Sequence, residues 1–248
     1  MKVVAPVTCS TPQTNTTATL QVNAPAGLVE GNLLLAWIRN SSNTAVVSSP
    51  GWTLVGPTTN NTSVLWHRVT AAEAAAVNQR WTFTASAGSV ANAVVAQYSG
   101  ALADGNPIVG YAGATGGTST PIGPALEIPS GVVPGALTAY GVRLASANTV
   151  TPPAGFSSML SGSRGQHVLN RQETAEGGTG VVNPTFGSST QRLAWMVVIL
   201  PEPEPELDGV RVFDGVAEQA VVPHLWDGVA ETALTAHLWT GTEEIRLA

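Results

Sequence analysis

Apolar positions in this chain come in short runs set between Gly, Pro, Asn and Ser, and the runs predict strands. Residues 33–39, 64–69, 81–84 and 94–98 are β-branched or aromatic stretches bounded by turn formers. A second set follows at 137–144, 167–171, 184–186 and 193–200. Strands this short and this closely spaced predict an all-β fold, a sandwich or jelly roll. One helical turn is expected over 71–77, where Thr70 and Glu73 form a capping box ahead of Ala-rich sequence. The second set carries Gly177-Gly178 at that place, which predicts a loop.

The two sets read as one pattern written twice. Residues 25–33 match 129–137 at an offset of 104, and Pro50-Gly51-Trp52 meets Ala154-Gly155-Phe156 at the same offset. Further on, an offset of 103 aligns Arg68 with Arg171, Glu73 with Glu176, Phe83 with Phe186 and Val94 with Val197. This predicts two internally duplicated halves, about 1–107 and 108–200, with no linker between them, and hence one body over 1–200. Gly51 and Gly155 let the chain turn tightly and send Trp52 and Phe156 into the core of each half. Exposed, the same rings would be sugar-stacking platforms. Trp37, Trp66, Trp81 and Trp195 lie inside strand patterns and are expected in the core.

The chain changes character at 201–206, Pro-Glu repeated three times, a stiff and self-repelling linker. Beyond it, over 207–248, runs a 13-residue period: Phe213-Asp214-Gly215, Trp226-Asp227-Gly228, Trp239-Thr240-Gly241. Asp-Gly between apolar residues favours a two-residue hairpin turn, with the ring before it paired across the strands with the residue after it. The tail is therefore expected to be a β-hairpin repeat. Phe213, Trp226 and Trp239 would form one apolar stripe, a candidate surface for assembly or binding. So small a unit buries little core, so self-association is expected, a trimer being one closed form. His224 and His237 each precede a Trp by two residues and could be gathered by symmetry into a metal site, although repetition of the unit explains them equally.

Charge sharpens the division. Residues 1–201 hold six acids against eight bases, whereas 202–248 hold ten acids against Arg211 and Arg246. A nearly neutral body with an acidic end does not attract nucleic acid or anionic lipid. The apolar runs are too short to insert in a membrane as helices, and the first residues lack the pattern of a signal peptide. Cys9 is the lone cysteine and is expected as a buried or edge thiol. No phosphate loop, Gly-x-Ser-x-Gly, His-Glu-x-x-His or paired-Cys motif occurs. Glu73 and Glu176 are a conceivable glycosidase pair, but each lies five residues after an Arg and is expected to form an ion pair with it. The expectation is a protein without enzymatic activity or cofactor.

The segments Gly31-Asn32-Leu33-Leu34-Leu35-Ala36, Pro50-Gly51-Trp52-Thr53-Leu54-Val55 and Ala93-Val94-Val95-Ala96-Gln97-Tyr98-Ser99-Gly100, followed by Asn106-Pro107-Ile108, resemble a β-sandwich common in tailed-phage virion proteins, usually minor tail or decoration proteins. The Trp-Asp-Gly units are similar to the C-terminal repeats of actinobacterial-phage minor tail proteins. The chain departs from that pattern at Thr240-Gly241 and in lacking a second aromatic after each turn. The resemblance implies a structural accessory component of a virion, at the tail or tail tip, made in the host cytoplasm. Its partners would be other virion proteins and, in an adhesion role, a host-surface glycan. Capsid decoration (or a head fibre) and a carbohydrate- or cell-wall-binding module are the alternatives.

Overall fold

The computed structural model describes residues 2–42, 46–56, 61–116, 125–144, 150–160, 165–179, 185–186, 192–203, 211–213, 218–220, 236–239 and 244–247. Contacts divide the chain into two compact units, Met1–Glu202 and Pro203–Ala248. The fold is all-β. The first half of the body contributes β1 (Ala5–Cys9), β2 (Gln13–Thr14), β3 (Thr19–Asn23), β4 (Leu33–Asn40) and β5 (Val47–Ser48). It continues with β6 (Thr53–Leu54), β7 (Thr62–Arg68), helix α1 (Ala71–Ala75), β8 (Arg80–Ala85) and β9 (Val90–Ser99). The second half contributes β10 (Ile108–Gly116), β11 (Glu127–Ile128), β12 (Leu137–Leu144), β13 (Val150–Thr151) and β14 (Ser157–Leu160). After these come β15 (Gln166–Gln172), β16 (Gly177–Gly178), β17 (Thr185–Phe186) and β18 (Arg192–Ile199).

Each half builds one large antiparallel sheet. The first has the order β1-β9-β4-β7-β6, with β2 also on β9, and the second has the order β10-β18-β12-β15-β14. A smaller sheet, β3-β8-β5, accompanies the first; the pairs β11-β16 and β13-β17 accompany the second. Side chains alternate along β4, as the pleat requires. Leu34, Ala36 and Ile38 pack with Leu20, Val22, Trp81 and Phe83 of the small sheet. Leu33, Leu35 and Trp37 enter a core shared with Leu137, Ala139, Trp195, Val197 and Ile199 of the second half. On the far side of the second large sheet, Tyr140, Val142 and Leu144 join Val150, Leu169 and Met196. The body is thus layered small sheet, large sheet, large sheet, small sheet. Both faces of each large sheet are covered, which is why its central strands are apolar at nearly every position rather than at every second one.

The middle of the stack depends on one glycine. Trp37 and Trp195 meet with ring centroids 5.9 Å apart and planes tilted by 40°. Trp37 lies between Val64 and Val94 in its sheet, and Gly141 lies at the matching place between Val168 and Trp195. A Cβ on Gly141 would stand 2.7 Å from Trp195 Nε1 and 2.9 Å from Trp37 Cε3. One sheet supplies the ring and the other supplies the space for it.

The ladders also correct the residue equivalences read from sequence. Leu33 lies between Arg68 and Tyr98, and Leu137 between Gln172 and Ile199, so the offset is 104 into β15 but 101 into β18. His67, not Arg68, therefore corresponds to Arg171, and Val94 corresponds to Trp195. The shortening falls where the first half has α1. That helix is one residue pair shorter than the predicted 71–77 and carries the expected capping box at Thr70 and Glu73. Its counterpart region holds the two-residue strand β16 instead of the expected loop, because Glu127 and Ile128 pair with Gly178 and Gly177.

The ends of the body are fastened together. Val4 is fully buried and donates its N–H to Gly135 O at 2.9 Å, while Lys2 N donates to Glu202 O at 2.9 Å. Glu202 N donates to Gly100 O at 2.8 Å, and Pro201 bridges to Ala101. The first two residues of the expected 201–206 linker thus belong to the body.

In the C-terminal unit, β19 (Arg211–Phe213) pairs with β20 (Glu218–Ala220), and β21 (Ala236–Trp239) pairs with β22 (Glu244–Leu247). Phe213 stands opposite Glu218 and Trp239 opposite Glu244. The expected two-residue turn, with the ring paired to the residue just after Asp-Gly, is therefore replaced by connections of four residues. His237 stands opposite Arg246. Trp226 and His224 lie outside the described residues.

Two outcomes follow. Gly141→Ala should lower stability by about 1–3 kcal/mol through overpacking of the two indoles, read as a fall in urea midpoint with unchanged slope. A fragment of residues 1–202 should melt cooperatively as a β-rich species; aggregation or lack of a transition would place part of the body's core beyond Glu202.

Candidate functional site

The densest polar cluster in the body forms where β7 runs into α1. Adjacent residues of β7 face opposite ways, so His67 points to the small-sheet side and Arg68 toward the seam between the large sheets. His67 Nδ1 lies 2.8 Å from Gly51 O, and its Nε2 lies 3.0 and 2.8 Å from the two carboxylate oxygens of Glu73. Both ring nitrogens face acceptors, and a ring with one proton can serve only one of them. Trp52 stacks on His67 at 5.2 Å between centroids and 28° between planes, and meets Trp81 edge-on at 5.4 Å.

Glu73 is the hub. Trp81 Nε1 donates to its Oε1 at 2.8 Å, and the backbone N–H of Thr70 donates to its Oε2 at 2.9 Å. Burial alone would push this carboxyl up, but the Thr70 N–H, the Trp81 indole and His67 together outweigh burial. They hold it at about 2, against an ordinary 4.5. The expected Arg68–Glu73 pair is not made. Arg68 Nη1 donates to Gly31 O at 2.9 Å and Nη2 to Ala101 O at 3.3 Å, on the other face of the strand.

The second half has a related cluster with other residues. Arg171 Cζ lies 4.9 Å from the centroid of the Phe156 ring, as His67 lies on Trp52. Its Nε donates to Glu173 Oε1 at 2.9 Å, and Thr138 Oγ1 donates to the same oxygen. Glu176 accepts instead from Gly131 N at 2.6 Å, so the expected Arg171–Glu176 pair is also replaced. Gly51 and Gly155 have φ of 78° and 80°, the left-handed turn that delivers Trp52 onto His67 and Phe156 onto Arg171. Each half thus carries an aromatic ring, a flat nitrogen-bearing side chain and a carboxylate in contact at one corner of its outer layer.

Chemically this is a fastening. Trp52 and His67 are each 9% exposed, which leaves no ring surface for a sugar to stack on. Glu73 and Glu176 belong to separate clusters with different partners. Among the described residues no group of three or more His, Cys, Asp or Glu could hold a metal ion. His67 was not foreseeable as the partner of Glu73, because they are brought together only by the strand ending and the capping box folding the carboxylate back. Two shallow depressions are formed by described residues. One, of about 390 Å³, lies between residues 23–28 and α1, with Arg80 its charged lining group. The other lies between β1 and β14. Among the described residues no helix is long and apolar enough to cross a membrane.

Because the folded state holds Glu73 below its unfolded value, it binds fewer protons there than the unfolded chain. Its contribution is complete above about pH 4.5 and is lost as pH falls toward 2. Glu73→Gln should flatten that part of the stability–pH curve, measured as urea midpoints at pH 6 and pH 3, with the variant and wild type converging at the acid end.

No protein-family model, curated protein or solved structure matches this chain.

Proposed function

We propose that this chain is a structural accessory component of a tailed-phage virion, a minor tail protein at the tail or tail tip that contributes to host adhesion. The observation that carries this reading is the pairing of a doubly covered β-sheet body with a separate unit beginning at Pro203, the acidic repeat end of the chain. A body whose large sheets are buried on both faces resists deformation, as a particle component must. An acidic repeat unit disfavours nucleic acid and leaves rings at 13-residue spacing for contact with other proteins. The sequence resemblance to phage minor tail proteins points the same way.

The described residues favour this reading over the glycan-binding one, since of the two rings considered as sugar platforms Trp52 is buried and Phe156 is partly buried beneath Arg171. Partners in this reading are other virion proteins and further copies of the chain. Immunogold labelling of intact particles with an antibody against the body should mark the tail end. Gold on the head would transfer the assignment to capsid decoration, and its absence from purified particles would end the virion reading.

A further inference from the structure

Charge is sorted between the two ends of the large sheets. β4 and β12 run from one end to the other, and β7, β9, β15 and β18 run back. All six acids of residues 1–201 lie at the end where β4 and β12 begin. Glu30 and Glu127 precede those strands, and Glu73, Asp104, Glu173 and Glu176 follow strands that return. Backbone bonds keep them there, from Gly31 N to Val69 O and from Glu173 N to Ala136 O, both 2.9 Å. Two arginines at this end are engaged: Arg68 donates to Gly31 O and Ala101 O, and Arg171 donates to Glu173.

The other end, about 20 Å away at the rise of a β-strand, has arginines and none of those acids. Arg39 stands between Thr62 and Asn92 in the first large sheet, and Arg143 between Gln166 and Leu193 in the second. Arg192 stands opposite Leu144 and Gly116. Among the described residues nothing bonds or pairs with the half-buried Arg39 side chain. The complementary charge lies elsewhere in the chain, in the ten acids of residues 202–248. In each repeat an acid follows the ring by five residues: Phe213 and Glu218, Trp226 and Glu231, Trp239 and Glu244. In the two described pairs the ladder sets ring and acid directly opposite, hence on one face. A ring beside a carboxylate is the accepting half of the contact made inside the body, where Arg171 lies over Phe156 and donates to Glu173 Oε1. A guanidinium suits both, since its plane rests on a ring while its N–H groups reach an acid.

We propose that the arginine end of one copy's body is a docking surface for the acidic C-terminal repeats of another copy. Arg39, with Arg143 and Arg192 beside it, supplies guanidinium groups to the ring–carboxylate pairs. A second copy is the occupant because this chain carries both signs of charge and keeps them apart. Contact between two arginine ends, or between two acidic repeats, sets like charges together, whereas the unlike contact neutralises both. The interface is heterologous, so each copy gives one surface and receives on the other, and copies can be added in series. This goes beyond the virion reading and holds wherever the protein works.

Sedimentation velocity of the full chain, from about 1 to about 100 µM, tests the proposal in about 20 mM and about 500 mM sodium chloride. The chain should associate at low salt, and the association should weaken at least about tenfold at high salt, where charges are screened. Arg39→Glu should weaken it at least about tenfold at low salt. Arg80→Glu reverses an exposed arginine at the acid-bearing end and should leave association within about twofold of wild type. Should Arg39→Glu fail to fold, the doubly substituted Glu231→Lys, Glu244→Lys chain answers the same question without touching the body, and should lose association to the same degree. A monomer at both salt concentrations overturns the proposal. Association that holds or strengthens at high salt also overturns it, since rings of like repeats would then be meeting. So does an equal effect of Arg39→Glu and Arg80→Glu, or undiminished association in the Glu231→Lys, Glu244→Lys chain.

Discussion

The structure depends on the face-to-face packing of two β-sheets through their centres, where Trp37 and Trp195 share the space left by Gly141. Two flat rows of branched side chains would leave gaps at this contact, and interiors tolerate few gaps larger than a water molecule. An indole set against a glycine closes the sheets without gaps. Because the inner faces are consumed in this contact, each large sheet needs a second cover, and the small sheets provide it. The ten-residue strand β9 shows the result, with seven consecutive buried positions in place of alternation.

The outer layers are secured by a different interaction, repeated with different chemistry. In the first half an imidazole lies on an indole and bonds a carboxylate; in the second a guanidinium lies on a phenyl ring and bonds a carboxylate. Histidine and arginine occupy matching ladder positions, so the geometry calls for a flat donor group that can rest on a ring and reach an acid. The carboxylate comes from a different place in each half, from the capping box in one and from the residue two beyond the arginine in the other. The tightly turned glycine before each ring sets the distance. Such corners hold a small sheet onto a large one without adding apolar area, which suits a protein assembled from few large side chains. They also explain why the acidic groups most visible in the body serve packing.

The two seams of the central contact are filled differently. Tyr111 and Trp66 stand at the ladder positions that Cys9 and Asn170 hold in the other sheet.

The sequence by itself determined the strand content, the all-β class, the capped turn at Thr70 and Glu73, and the correspondence of Gly51-Trp52 with Gly155-Phe156. Each of these rests on local chemistry: β-branched runs, a side chain that bonds its own neighbouring backbone, a glycine that turns where other residues strain. Only the tertiary structure decided which residues meet. Arg68 and Glu73 are close in sequence, but Arg68 leaves β7 on one face while Glu73, on α1, folds back toward the other, so the acid found His67 and Trp81 instead. The equivalence of Arg171 was displaced by one residue because the ladder, not the best local match, sets register. The open groove at Cys9 and Asn170 had no local signal at all, since it is formed by an edge strand of one half and an edge strand of the other. In the ladders of the C-terminal unit Phe213 likewise stands opposite Glu218 and Trp239 opposite Glu244, a register that no dipeptide preference could fix. Periodicity reports which face a residue takes, whereas long-range pairing is settled by the packing of whole sheets, and it is pairing that makes a site.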